Sequence, residues 1–323
     1  MIPGPDAFLA ARDRIAGHIR RTPCRRSEGL SALAGVPVWL KCEHLQDTGA
    51  FKLRGATNAV LRLPPGVAGV TTASTGNHGR ALAHAARAAG LPAVICMSRL
   101  VPENKRAAIR ALGAEARITG ASQDEAGIEA ARLARDDGFA LIPPFDHADV
   151  IAGQATLGLE MAEDVPDAAC VLVPLSGGGL LAGVAAAMKP RLPGLRVIGV
   201  SMERGAAMAA SLSAGHPVAV TELPTLADSL GGGIGLQNRL TYPMVRDLMD
   251  DLILLTEAQI AAGIRHLSTH DGEVVEGAAA VGAAALLAGK VSPTGPVVLP
   301  LTGANIDPAL HARIMAGETP EPE

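Results

Sequence analysis

The chain has 323 residues, and at about 150 residues per domain two domains are the first expectation. Lys and Arg total 28 against 32 Asp and Glu, a net charge of −4 that leaves no basic footprint for nucleic acid. Four Phe, one Trp and one Tyr are too few for a base-stacking surface, and 48% hydrophobic with 19% charged residues excludes a disordered chain.

The N-terminal MIPGPDAFLAARDRIAGHIRR carries charge where a secretory leader needs an apolar core. The longest apolar stretch, Gly277 to Gly289, falls short of the roughly 18 residues of a membrane span. Cys24, Cys42, Cys96 and Cys170 are scattered without zinc-type spacing, so free thiols in a reducing cytoplasm are expected.

In chain order, apolar β-type runs predict strands at Val38–Lys41, Gly69–Thr72, Ala93–Met97, Ala116–Ile118, Cys170–Pro174, Arg196–Val200 and Pro296–Leu301. Ala-rich patterns predict helices at His78–Ala89, Glu103–Leu112, Gln123–Asp136, Leu180–Lys189 and Glu276–Ala288. This alternation is that of parallel α/β units. Pro and Gly punctuate the joins, as at Leu63-Pro64-Pro65-Gly66 and Gly90-Leu91-Pro92. The units group as about 66–143 and about 146 onward, and the pattern alone leaves residues 1–60 unassigned.

Four polar clusters interrupt this pattern. Gln46-Asp47-Thr48-Gly49-Ala50-Phe51-Lys52-Leu53-Arg54-Gly55 opens a helix and puts a lysine in its first turn, where the helix dipole disfavours an ammonium by about 0.3–1 kcal/mol. Lys52 is then either a nucleophilic amine or a solvated surface lysine. Ser74-Thr75-Gly76-Asn77-His78-Gly79 offers hydroxyls, an amide and backbone donors suited to a carboxylate or phenolic oxygen, or else Ser74 and Thr75 cap a helix starting near Gly79. Ser176-Gly177-Gly178-Gly179-Leu180, between a buried strand and a helix, collects backbone N–H groups for a phosphate, or is a tight turn. Thr302-Gly303-Ala304-Asn305 follows the last strand, where open α/β sheets bind ligands, and alone reads as an ordinary turn.

Gly177, Gly179 and Ala182, with Glu203 after the next strand, also fit a relaxed dinucleotide fingerprint, which keeps a Rossmann-type nicotinamide oxidoreductase as an alternative. A binding protein for a phosphorylated ligand is another. A Walker loop and a G-x-S-x-G elbow are absent, and the i, i+4 pair His266 and His270 lacks the H-E-x-x-H of a zinc protease.

Together these four clusters resemble, in order and spacing, the serine/threonine dehydratase family of fold-type II pyridoxal-phosphate enzymes. Pro102-Glu103-Asn104-Lys105 and Pro144-Phe145-Asp146-His147, on to Gly153-Gln154, extend the likeness over nearly the whole chain. The resemblance implies a tryptophan synthase beta-like α/β fold of two open twisted-sheet domains, a larger one of 1–60 and 146–323 and a smaller inserted one of 61–145, with pyridoxal 5'-phosphate in the cleft. Lys52 would hold the cofactor as a Schiff base and take the substrate's Cα proton. Asn77 would bond the ring hydroxyl, Ser176, Gly177, Gly178, Gly179 and Leu180 the phosphate, and Thr302 the pyridine nitrogen. Ser74, Thr75, Gly76, Asn77 and His78 would hold the substrate. The implied reaction is loss of water from a small hydroxy amino acid such as L-threonine or L-serine, giving a 2-oxo acid and ammonia, in a cytoplasmic homodimer.

Thr75 stands where racemases of the family carry Ser and many dehydratases Ala, which keeps racemisation as an alternative and Thr75 as a catalytic candidate. Ser176, Thr302 and Ala304 replace the family's usual Gly, Ser and Gly, and Ala227-Asp228-Ser229 and Val275-Glu276-Gly277 also depart from its wording. Ser201 stands where the divalent-cation site would begin with Glu, so no metal is expected. The wording of ASTGNHGR and DSLGGGIG is similar to dehydratases of hydroxyectoine utilisation.

Overall fold

A computed structural model describes residues 1–74, 76–101 and 103–321, leaving out the side chains of Asn104, Gln123 and Asp124. The chain opens with α1 (Pro5–Ile15), β1 (Cys24–Arg26), α2 (Glu28–Ala34), β2 (Val38–Lys41) and α3 (Lys52–Leu61). There follow β3 (Gly69–Ala73), α4 (Asn77–Ala88), β4 (Ala93–Met97), α5 (Glu103–Ala111), β5 (Glu115–Ile118), α6 (Gln123–Asp136) and β6 (Phe139–Leu141). The remainder is α7 (Ala148–Asp164), β7 (Cys170–Pro174), α8 (Gly179–Met188), β8 (Arg196–Met202), α9 (Ala207–Ala214), α10 (Thr241–Leu248), β9 (Asp251–Leu255), α11 (Glu257–His266), α12 (Gly277–Leu287), β10 (Val297–Pro300) and α13 (Pro308–Met315).

The strands form two sheets, a six-stranded one ordered β1-β2-β10-β7-β8-β9 and a four-stranded one ordered β5-β4-β3-β6. All pairings are parallel except that of β1 with β2. Parallel strands covered on both faces should be apolar throughout, and Cys170–Pro174 is buried at every position. The helices pack closely because small residues permit it: a Cβ on Gly158 of α7 would lie 2.8 Å from the Val184 carbonyl of α8. The Ala-rich α12 is buried along nearly its whole length, so its apolarity serves the core, and no helix among the described residues is long and apolar enough to cross a membrane.

Chain order fixes where ligands can enter. From β7 the six-stranded sheet grows outward through β8 and β9, then crosses back to β10 on the other side of β7. From β3 the four-stranded sheet grows through β4 and β5, then returns to β6. Each reversal opens a crevice at the carboxyl ends of its strands, the usual ligand position in open α/β sheets. The crevice between β7 and β10 is lined by Ser176 and Thr302, and that between β3 and β6 by Ser74 and Ile142.

Candidate active site

After β7 the backbone turns at Gly178, whose φ of +85° suits glycine, and enters α8 without a side-chain cap. The first-turn N–H groups of α8 are therefore available to an anion. Glycine is required for space as well: a Cβ on Gly177 would lie 2.2 Å from Phe145 Cδ1, and one on Gly178 2.8 Å from Val245 Cγ2. Ser176 is half-buried at the head of this loop, and Leu180 is buried in the apolar cluster behind it.

Lys52 is the first residue of α3, as its position in the sequence predicts. The Phe51 N–H donates to the Thr302 carbonyl at 3.0 Å, and Ala50 bridges to Gly303, so Lys52 is tied to the end of β10. Lys52 Nζ donates to the Pro144 carbonyl at 2.8 Å. Burial pushes the amine down to about 8, with the nearby Glu276 carboxylate acting the other way. A solvated surface lysine is thus excluded.

Asn77 and His78 begin α4 and are buried; the helix starts at Asn77 rather than near Gly79, and Gly76 is its N-cap without a side-chain bond. Ser74 Oγ nevertheless accepts from the Gly79 N–H at 3.3 Å, so part of the capping alternative holds. His78 Nε2 donates to the Ile142 carbonyl at 2.9 Å, and burial, then the charge of Lys52, push its ring down to about 3, which keeps it neutral. Asn77 Nδ2 donates to Glu276 Oε1 at 2.8 Å and Asn77 Oδ1 accepts from Asn305 Nδ2 at 2.6 Å, which links the two sheets across the cleft. Thr302 is 3% exposed. Thr75 lies outside the described residues.

The structure therefore brings Lys52, Asn77, His78 and Thr302 to one cleft and joins the glycine loop to it through the 142–147 segment. In that segment the Ile142 and Pro144 carbonyls hold His78 and Lys52, Phe145 covers Gly177, and Asp146 accepts from the Leu240 and Thr241 N–H groups at the start of α10. Sequence reasoning missed the roles of Pro144 and Phe145; the paired Pro143 and Pro144 ahead of an aromatic were the available signal. Glu276 was noted only as a departure in wording, yet it stands at the centre of the cleft, with burial and Asp228 pushing its carboxyl up to about 7.

These features fit pyridoxal phosphate: a glycine cradle that a Cβ would fill, an amine of lowered basicity, and a buried hydroxyl, Thr302, after β10. The chain matches the family described as pyridoxal-phosphate dependent enzyme over residues 15–303, and it belongs to that family. Within it, the chain is 58% identical over 315 residues to a putative threonine dehydratase of Sinorhizobium fredii, covering 97% of this chain and 95% of that one. It is 40% identical to an L-threonine ammonia-lyase of Geobacter sulfurreducens, covering 92% of this chain and 74% of the relative. Among solved structures, maize serine racemase superposes with a TM-score of 0.91 at 32% identity, covering 98% of each chain. The processed form of threonine deaminase isoform 2 from Solanum lycopersicum does so with 0.86 at 32% identity, covering 98% of this chain and 95% of that one.

The family membership replaces the nicotinamide alternative. Glu203, its ribose acceptor, is exposed and lies 3.9 Å from Lys290. Ser201 is buried with its hydroxyl 3.3 Å from Met202 Sδ, and the described residues contain no cluster of three or more His, Cys, Asp or Glu that could hold a metal. All four cysteines are free thiols.

The cradle makes a prediction. Gly177→Ala forces the Phe145 ring aside, an overpacking cost of about 1–3 kcal/mol, so affinity of the cofactor-free protein for pyridoxal phosphate should fall about tenfold or more. Titration followed through the cofactor's visible band measures this; unchanged affinity would remove the glycine loop from the phosphate site.

Proposed function

We propose that the chain is a pyridoxal-phosphate-dependent dehydratase (ammonia-lyase) that eliminates water from a small hydroxy amino acid such as L-threonine or L-serine, releasing a 2-oxo acid and ammonia. The observation that carries this reading is the junction of Lys52 with Thr302: a half-buried amine of lowered basicity fixed beside a strand end that bears a hydroxyl rather than a carboxylate. The names of the threonine dehydratase and ammonia-lyase relatives support it. So do the two sheets, whose strands fall separately within 61–145 and within 1–60 with 146–323, which supports the division into a smaller and a larger domain.

In this reading the N–H groups of Ser176 to Leu180, with the positive end of the α8 dipole, hold the phosphate. Asn77 meets the ring oxygen, and Thr302 the ring nitrogen without forcing it to stay protonated. Bound there, pyridoxal phosphate supplies an electron sink for charge developing at the substrate's Cα. Backbone donors between Ser74 and His78 orient the substrate carboxylate, with neutral His78 holding that turn against Ile142. Lys52, its amine freed by the incoming substrate, would take the Cα proton and pass a proton to the β-hydroxyl so that it can leave as water, and water adding back to the enamine product would release the 2-oxo acid and ammonia.

The test is the visible absorption of the purified protein before and after L-threonine or L-serine, with 2-oxo acid and ammonia assayed together. A band that changes as both products appear supports the reading. A band inert to both amino acids moves the substrate toward a less common hydroxy amino acid, such as an intermediate of hydroxyectoine breakdown. No band after pyridoxal phosphate is supplied overturns it. Racemisation is the second reading, favoured by the likeness to maize serine racemase; D-serine formed from L-serine in the same assay would establish it.

A further inference from the structure

Glu276 is the N-cap residue of α12, yet its side chain makes no bond to that helix. An acidic N-cap ordinarily turns back onto the free N–H groups of its own first turn, where it is most useful to the helix. Here the carboxylate faces the other way, 4% exposed, toward the cleft floor. Asn77 Nδ2 donates to it at 2.8 Å, and the Ser229 hydroxyl, 3.3 Å from Asp228 Oδ1, and the Asn305 backbone N–H lie close to it. Gly303 makes the room, since a Cβ there would lie 2.6 Å from Glu276 Oε1.

The other end of the Asn77 amide is equally constrained. Its Oδ1 accepts from Asn305 Nδ2 at 2.6 Å. Asn305 cannot turn over in exchange, because the same Nδ2 donates to the Thr48 carbonyl at 3.2 Å and its Oδ1 accepts from Arg80. A carboxylate only accepts and an amide NH2 only donates. Glu276 and Asn305 together therefore fix the Asn77 oxygen on one side and its nitrogen on the other. One Nδ2 hydrogen remains without a strong partner, since the Ser229 hydroxyl is 3.5 Å away, at the limit of a hydrogen bond. Asn77 can present that hydrogen to a ligand, and cannot present its oxygen.

We propose that Glu276 is a positioning residue that locks the Asn77 amide as a donor, so that the cleft selects the cofactor's ring oxygen in its deprotonated form. The proposal rests on the reading above that Asn77 meets that oxygen. It also sets a direction with pH. The charged groups facing Glu276 are Asp228, from the turn at 228–230, and Lys52, from α3. As pH falls through about 7 the carboxyl gains a proton and becomes a donor itself, and the lock on Asn77 weakens.

The test uses cofactor-free protein and pyridoxine phosphate, which carries the ring oxygen and the phosphate but no aldehyde for Lys52 to capture. Calorimetry gives its affinity, and its ultraviolet absorption reports whether the bound ring oxygen keeps its proton. Glu276→Gln replaces an acceptor-only group by an amide that can also donate toward Asn77, which removes one of the two constraints on that side chain while Asn305 keeps the other, and should weaken binding several-fold, up to about the tenfold scale of a hydrogen bond to a charged group, with the bound absorption shifting toward the protonated form. Glu276→Asp, which keeps an acceptor, should retain the deprotonated form with a smaller loss, and serves if the Gln variant folds poorly. Adding Glu276→Gln to Asn77→Ala should cost nothing beyond Asn77→Ala alone, because the carboxylate acts through that amide. Unchanged absorption in Glu276→Gln, or a loss that adds in full to that of Asn77→Ala, overturns the proposal while the cofactor reading stands. Failure of the wild-type protein to bind pyridoxine phosphate overturns both.

Discussion

Lys52→Ala is expected to abolish turnover while leaving the fold intact. In the proposed mechanism Lys52 is a positioned general base, whose loss alone costs roughly a hundredfold to ten-thousandfold, and also the covalent hold on the cofactor, so release of 2-oxo acid should drop below detection. The same residue predicts a pH dependence. Capture of pyridoxal phosphate by the cofactor-free protein needs the neutral amine; below about 8 Lys52 carries its proton and is unreactive, above it the amine is free, so the capture rate should climb with pH through about 8. Burial is the leading cause of that lowered value, and the Glu276 carboxylate opposes it, so Glu276→Gln should move the midpoint to lower pH. Stopped-flow growth of the visible band measures both. A capture rate flat across neutral and mildly alkaline pH would contradict the buried-amine assignment, and residual turnover in Lys52→Ala would contradict the mechanism.

Lys52 and the glycine loop were legible because each violates a local rule. A lysine in the first turn of a helix opposes the dipole, and three consecutive glycines leading straight into a helix are more than a tight turn needs. Val38–Lys41, Ala93–Met97 and Cys170–Pro174 were legible to the residue because apolar runs bounded by turn residues suffice to mark central parallel strands. The strands that were missed, Cys24–Arg26, Phe139–Leu141 and Asp251–Leu255, lie at sheet edges. Two of them have only three residues, and β6 and β9 pair with strands far back in the chain, as β6 does with β3, so no local periodicity announces them. The contacts that complete the site escaped for the same reason: Lys52 to Pro144 spans 92 positions and Asn77 to Glu276 spans 199. Lys41 shows the limit most sharply. It looks like the polar end of a strand, yet it is 0% exposed and sits 2.8 Å from both Glu160 and Asp164. A lysine is almost never fully buried unless paired, and the partners come from α7, more than a hundred residues away.

The largest expected loss of stability follows from that same network. Arg54, two residues beyond Lys52 on α3, is 0% exposed and lies between Glu43, whose two oxygens it meets at 2.8 Å each, and Glu160, which it meets at 2.7 and 3.0 Å. Both pairs are bidentate, the geometry a guanidinium holds best. Arg54→Leu leaves Glu43 buried without its paired cation and Glu160 with Lys41 alone, and breaking a buried pair from one side costs about 3–5 kcal/mol. Arg54→Lys keeps the charge but loses the fork and should fall in between. Acidity should narrow the gap. In the native chain burial would raise Glu43, but the Arg54 guanidinium outweighs it and holds the carboxyl below its usual range, so the group adds stability at neutral pH and loses that contribution as pH falls through its lowered value. Without Arg54, burial is opposed mainly by the Thr22 hydroxyl and the more remote Lys41, so the Glu43 carboxyl rises, costs stability at neutral pH and is relieved by protonation on the acid side. Urea midpoints at neutral and mildly acidic pH should therefore converge, and Glu43→Gln added to Arg54→Leu should recover part of the loss. A gap independent of pH would mean that Arg54 contributes shape rather than charge. Since Arg54 holds the same helical turn that carries Lys52, the destabilised variant should also capture pyridoxal phosphate more slowly at pH above 8, where the native amine is already neutral.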